Sequence, residues 1–236
     1  MNFKNDNMYR WENNDLSQPQ AVAQLNSHKL VSFMKRQRTE ANFIDRLKIN
    51  YRSYICPFDR LLEMVSQDDH VFDIGCGSGH FAILLAEFTQ PKSIHGIEIS
   101  PELVKNAKSL VGGYPQTNVK FELYNGENLP QNISQATKIF MIDVLHHIPK
   151  ANQLAFLTNI YKQMSAGSQF ILKDIDAGNL LVFFNKMHDL LFAREIGNEM
   201  SLKNVLEVLK AIGFKVKSTV KNTLYVYPHY TIIAEK

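Results

Sequence analysis

The residues best suited to chemistry fall between 71 and 81, where the chain reads Val71-Phe72-Asp73-Ile74-Gly75-Cys76-Gly77-Ser78-Gly79-His80-Phe81. Glycines at alternate positions permit positive φ and leave a bare backbone that a ligand can approach closely. A dinucleotide turn has the spacing Gly-x-Gly-x-x-Gly, and counting from Gly75 its third glycine would fall on His80. A phosphate-binding P-loop is excluded as well, because no Gly-Lys-Ser/Thr follows. Asp73, two residues ahead of the first glycine, suits a cationic ligand better than a pyrophosphate.

A second signal is His95-Gly96-Ile97-Glu98-Ile99-Ser100, with Glu98 at the end of a β-prone run. A carboxylate there can accept hydrogen bonds from both hydroxyls of a ribose. Two further clusters could move protons. His146 and His147 precede Pro149, and a histidine titrates near neutral pH. Asp174 lies in Lys173-Asp174-Ile175-Asp176, after another β-prone run. Each has a structural alternative: the histidines as anchors of a turn, and Asp174 as the cap of the next helix.

With these residues in view, the chain resembles the class I S-adenosylmethionine-dependent methyltransferases. Residues 73–79 are similar to their first motif, which implies that Asp73, Gly75, Cys76 and Gly77 flank the methionine portion of the cofactor. Glu98 matches the ribose-binding acid, with Ile99 beside it in the cofactor site. Asn125-Gly126-Glu127-Asn128-Leu129-Pro130 resembles a third motif in which Asp is usual at the first position. The match implies that the Asn125 side-chain oxygen binds the adenine amino group and that the backbone at Gly126 and Glu127 lies beside the ring. Phe140-Met141-Ile142-Asp143-Val144-Leu145-His146-His147-Ile148-Pro149 is similar to the segment after the fourth strand in enzymes acting on ubiquinone and menaquinone precursors. It implies that Asp143 and Val144 approach the cofactor and the transferred methyl. The resemblance is specific over about residues 65–176, looser toward the C-terminus, and says little about residues 1–60.

These residues need elements to position them. β-prone runs at His70–Ile74, Ser93–Glu98, 118–124, Lys138–Ile142 and 168–173 alternate with helical patterns at about 79–88, 101–111 and 150–164. Strands alternating with helices imply right-handed crossovers and a parallel sheet. A helix over 201–212 and two final runs, 214–220 and 230–234, read as a helix and an antiparallel hairpin at the sheet edge. The fold class is therefore α/β: a Rossmann-like, seven-stranded, mostly parallel sheet with an antiparallel C-terminal hairpin, helices on both faces and a helical N-terminal extension. In that extension Phe43, Leu47 and Tyr51 form one helical row and Phe58, Leu61, Leu62 and Val65 another. Leu154, Leu157, Ile160, Tyr161 and Met164 mark the buried face of the 150–164 helix. The expected organisation is a helical cap over 1–65 and a cofactor-binding domain over 66–236, interrupted by a helical insertion at 177–200. The extension and the insertion, with Asn185, His188, Asp189, Arg194 and Glu195, form a lid over a partly apolar pocket or, alternatively, the interface of a homodimer.

At 236 residues, 45% apolar and 21% charged, the chain fits one α/β domain with additions. A formal charge of +3 gives no electrostatic footprint for nucleic acid, and Lys35-Arg36-Gln37-Arg38 reads as a solvated helix face. Two cysteines, Cys56 and Cys76, cannot make a disulfide scaffold. A polar start and the lack of a membrane-length apolar run point to the cytoplasm. The expected activity is methyl transfer from S-adenosylmethionine to a small molecule, on oxygen or carbon of an aromatic, quinone-like or polyketide-like acceptor. No metal is called for, and His147 or Asp174 is the candidate base. RNA or protein methylation, and a binding module without turnover, are the alternatives.

Overall fold

The computed structural model describes residues 22–37, 43–112, 118–178, 197–224 and 227–236. Three helices come first: α1 (Ser27–Met34), α2 (Phe43–Ile55) and α3 (Phe58–Leu62). The alternating part follows as β1 (His70–Ile74), α4 (His80–Phe88), β2 (Ser93–Glu98), α5 (Pro101–Val111), β3 (Val119–Leu123), β4 (Lys138–Ile142), α6 (Lys150–Gln163) and β5 (Gln169–Ile175). Then come α7 (Leu202–Ile212), β6 (Lys215–Leu224) and β7 (Tyr227–Glu235). The seven strands make one sheet in the order β3-β2-β1-β4-β5-β7-β6. Pairs among β1 to β5 are parallel, whereas β7 runs antiparallel to both β5 and β6. The chain therefore leaves β1 toward one edge and later resumes at β4 toward the other, so a topological switch point falls between β1 and β4.

Local sequence explains where the elements begin and end. Ser100 caps α5 by accepting from the Leu103 N–H at 3.3 Å, with Pro101 in the first turn. Ser201 caps α7 in the same way, and Gly213, at φ +117°, closes it with its N–H on the Leu209 and Lys210 carbonyls. Helix α4 is buried from His80 through Ala86, as suits a helix covered on all sides rather than one with a wet face. It joins α1, α3 and α5 in the core on one side of the sheet, while α6 and α7 pack on the other.

Several expectations need adjustment. In the row at helical spacing on α2, Leu47 is 50% and Tyr51 40% exposed, while Ile49 and Ser53 are buried. Leu154 of α6 is 55% exposed although Leu157, Ile160 and Met164 are buried. Strand β5 runs on to Ile175, which puts Asp174 inside the sheet instead of after it. Residues 1–21 and 38–42 of the expected cap, and 179–196 of the expected insertion with the five polar side chains named there, lie outside the described residues.

Gly96 shows how closely the sheet packs on the loop after β1. A Cβ there would lie 2.8 Å from the Cys76 sulfur and 2.8 Å from the Phe121 ring. Both neighbours are buried, so Gly96→Ala should cost about 1–3 kcal/mol through overpacking. A thermal melt should then show a Tm lower by about 2–10 °C. An unchanged melting temperature would mean that this contact relaxes freely.

Candidate functional site

The loop after β1 is built as its glycines suggest. Gly75, Gly77 and Gly79 have φ of +72°, +53° and +77°. The Gly75 and Cys76 N–H groups both donate to the Ile97 carbonyl, at 2.8 and 3.0 Å. Each glycine has its own surroundings: a Cβ on Gly75 would strike the Val144 methyl groups, and one on Gly79 would come within 2.9 Å of the Ala107 Cβ. A Cβ on Gly77 would meet nothing within 4 Å, so that side of the backbone is open to a ligand. Cys76 itself is buried, its thiol pushed well above the ordinary range first by burial and then by Asp73 and Glu98. It is a packing residue that offers its backbone.

Glu98 holds this loop. One carboxylate oxygen accepts from the Ile99 and Ser100 N–H groups, at 2.8 and 3.0 Å, and the other accepts from the Gly77 N–H at 3.0 Å. A carboxylate has about four acceptor sites, so about one stays open while these bonds persist. The side chain expected to grip a ribose with both oxygens is thus also the clamp that fixes the end of β2 to the glycine turn. Ile99, next to it, is 66% exposed at the carboxyl edge of the sheet.

Asp73 sits 2% exposed in β1. Burial, partly offset by Arg52 and reinforced by Glu98, raises its carboxyl from 3.8 to about 7. A carboxylate in that position calls for a positive charge. At the adenine end expected from the sequence, the Asn125 oxygen accepts from the Glu127 and Asn128 N–H groups at 2.9 and 3.1 Å. With Gly126 at φ +84°, it closes its own turn. The oxygen expected to meet an adenine amino group is therefore occupied by backbone, because Asn readily bonds the chain two and three residues on.

The ends of β4 and β5 carry the second half of the site. Asp143 adopts φ +56°, uncommon for a residue with a side chain. The position is held from several directions. Its N–H donates to the Lys173 carbonyl at 2.8 Å, the Lys173 ammonium lies 2.5 Å from one of its oxygens, and the Arg52 guanidinium lies 3.3 Å from the other. Burial alone would raise this carboxyl, but Lys173 and Arg52 outweigh it and hold it well below the usual carboxylate range. The side chain of Asp143 is thus turned to an ion pair. Its neighbour Val144 lies against the loop at Gly75.

Asp174 meets His146 rather than His147. The His146 Nδ1 is 2.5 Å from one Asp174 oxygen, which also accepts from the Ile175 N–H at 2.7 Å, and the other oxygen accepts from the His146 N–H at 3.2 Å. His146 and Asp174 are buried, at 4% and 1% exposure, whereas His147 is exposed with its ring centroid 4.1 Å from that of His146. Gln153 fixes the turn beneath them: its amide donates to the Leu145, Ile148 and Asn198 carbonyls at 3.0, 3.1 and 2.8 Å. Sequence reasoning missed Arg52, Lys173, Gln153 and His229 (a buried residue of β7 beside Lys173). None belongs to a motif, although a Lys within an apolar β-run was a usable signal. Among the described residues no His, Cys, Asp and Glu group could hold a metal ion, and no helix is long and apolar enough to cross a membrane.

Comparison with known proteins gives the family and the fold. A family model described as a methyltransferase domain matches residues 65–224. Similar proteins include carboxy-S-adenosyl-L-methionine synthase of Dichelobacter nodosus, 25% identical over 151 residues, or 61% of this chain and 62% of that protein. O-methyltransferase resE of Aspergillus sclerotiorum is 28% identical over 47% of this chain and 41% of its own. A protein-lysine N-methyltransferase of Saccharolobus islandicus is 34% identical over 35% and 52%. The chain thus spans between 41% and 62% of these curated relatives. Among solved structures, magnesium protoporphyrin IX methyltransferase from Synechocystis, with bound SAH, superposes with a TM-score of 0.63 at 18% identity, covering 89% of this chain and 94% of that one. A SAM-dependent methyltransferase from Aquifex aeolicus gives 0.61 at 16% identity, covering 89% and 98%. These two likenesses show the fold.

The raised carboxyl of Asp73 makes stability depend on pH. Below about pH 4 it is protonated whether the chain is folded or not. Between about 4 and 7 the unfolded chain gives up the proton and the folded one keeps it, so stability falls across that window. Asp73→Asn should therefore stabilise the ligand-free protein at pH 8, by at most about 4 kcal/mol, with the gain vanishing near pH 4. Denaturant melts at both pH values check this, and an equal gain at both would show that Asp73 is not held neutral by the fold.

Proposed function

This chain belongs to the methyltransferase-domain family, and from that premise we propose that it binds S-adenosylmethionine and transfers the methyl group to a small-molecule acceptor. The observation that carries the reading is the pairing of Asp73 with the loop. A buried carboxyl with no cation bonded to it among the described residues stands beside open backbone at Gly77, with the Glu98 carboxylate at the far side of the same turn. A ligand with a positive charge at one end and ribose hydroxyls at the other answers both. Asp73, Gly75, Cys76 and Gly77 would hold the methionine portion, Glu98 and Ile99 the ribose, and the turn at Asn125, Gly126 and Glu127 the adenine. When bound, the cofactor supplies a methyl group made electrophilic by its sulfonium.

The chain's own task is to place the acceptor and exclude water. Val144 borders the glycine loop, and Asp143 is fixed by Lys173 and Arg52 at the end of β4. Arg52 thereby joins α2 to the site, and α2 also carries the exposed Leu47 and Tyr51. That supports an apolar acceptor, and supports the helices within residues 1–65 as its cap. Of the two candidate bases, Asp174 is engaged by three N–H donors, so it orients His146, while exposed His147 is the one placed to receive a proton. A second reading has a specific feature in its favour. The half-exposed Arg52 guanidinium could pair with a carboxylated donor of the kind named in the Dichelobacter relative.

Titration with S-adenosylhomocysteine tests the premise. Wild type should bind it, and Glu98→Ala should bind about tenfold to a hundredfold more weakly, the effect of losing charge-assisted hydrogen bonds. No heat with wild type, or equal affinity in the variant, would refute cofactor binding at this turn. Including carboxy-S-adenosylmethionine separates the donors: a preference for it that Arg52→Ala abolishes would favour the second reading. For the base, His147→Ala should lower methyl transfer to extracted metabolites about a hundredfold while homocysteine-product affinity stays unchanged. Undiminished transfer in that variant would remove His147 from the chemistry.

A further inference from the structure

His229 lies at the same edge of the sheet as the glycine loop. In β7 it pairs with Ile175, the last residue of β5, so it belongs to the carboxyl edge of the parallel strands, as the glycine loop does. Two residues on, Thr231 pairs with Lys173. Strand alternation therefore puts the His229 ring on the same side of the sheet as the Lys173 ammonium and its ion pair with Asp143.

The ring is 3% exposed, yet among the described residues neither of its nitrogens makes a hydrogen bond of good geometry. Leaving such groups unpaired is costly, and folded chains seldom do so without a use for the group. The nearby charges do not relieve it: Asp143 is engaged by Lys173 and Arg52. Burial, and then Lys173, push the imidazole down to about 3, so it is neutral and presents one N–H and one lone pair. The Ile55 backbone at the end of α2 acts on the ring as a hydrogen-bond acceptor and so takes its N–H side. What the other nitrogen needs is a donor.

Resting on the methyl-transfer reading, we infer that His229 is an acceptor-binding residue: its unprotonated nitrogen takes a hydrogen bond from a hydroxyl group on the methyl acceptor. The acceptor is then a hydroxyl-bearing molecule, seated between the end of α2 and the start of β7 and directed toward Asp143 and Val144. His229 holds and orients that hydroxyl and leaves its proton in place, since so weakly basic an imidazole is a poor proton acceptor.

The test uses the full chain saturated with S-adenosylhomocysteine, with phenol as the hydroxyl probe. Phenol should bind saturably and shift the His229 ring nitrogen resonances. His229→Phe should weaken phenol binding about tenfold or more, and His229→Asn, which keeps a donor and an acceptor, should restore it to within about threefold of wild type. Homocysteine-product affinity should be equal in all three proteins. Failure of phenol to bind, unmoved His229 resonances, or full phenol affinity in His229→Phe would each overturn the inference while cofactor binding stands. The resonance measurement needs only wild type, so it decides the matter even where a variant folds poorly. Failure of wild type to bind S-adenosylhomocysteine would instead overturn the methyl-transfer reading, and this inference with it.

Discussion

The Glu98 carboxylate is the interaction on which the rest of the site depends. It gathers N–H groups from the glycine turn, from the residue after β2 and from the N-cap of α5, three pieces of chain with no other reason to converge. Charge-assisted bonds of this kind are roughly twice as strong as neutral ones. Here they are placed at the edge of a switch point, where crossovers leaving β1 and β4 in opposite directions open a crevice. Gly75 and Val144 meet across that crevice, which is why a side chain on Gly75 has no room. The open backbone at Gly77 is the consequence: the turn is tied down on all sides except the one facing outward.

Two carboxyls in β1 and just after β4, Asp73 buried and Asp143 partly buried, are treated in opposite ways. Asp143 receives a lysine and an arginine and is held ionised. Asp73 receives neither as a direct partner among the described residues, and burial raises its carboxyl to about 7. Burying a charge is costly unless it is paired, so the second arrangement is stable only as a proton-bearing group or with a cation brought from outside. The same physics separates the lysines. Lys173 is tolerated at 0% exposure because Asp143 lies at its tip, whereas the lysines of edge strand β6 stay in solvent, where they discourage another strand from adding to the sheet.

Period and punctuation in the sequence were enough for the fold. Strands β1, β2 and β4 have the ends that their apolar runs suggest, and α5 begins at a Ser-Pro pair and stops at a glycine. Errors fell where local pattern and tertiary packing disagree. Tyr51 and Leu47 have helical spacing, but the inward face of α2 carries Ile49 and Ser53, and spacing alone cannot say which stripe is covered. β5 was read two residues short because Lys173 and Asp174 look like a polar strand end. Their burial depends on partners 30 and 28 residues away in sequence, Asp143 and His146.

What the sequence by itself determined was the kind of site: glycines at 75, 77 and 79 dictate a turn that only residues without Cβ can make, and the missing third dinucleotide glycine excludes one ligand class before any coordinates exist. What only the tertiary structure decided was partnership. Glu98 clamps the loop as well as facing it, Asp174 engages His146 and not His147, Asn125 closes its own turn, and Arg52 reaches Asp143 from a helix that no motif marks. The reason is physical. Backbone conformation is set by residues next to one another, while pairing of charges and hydrogen bonds is set by which distant segments the sheet order brings within about 3 Å.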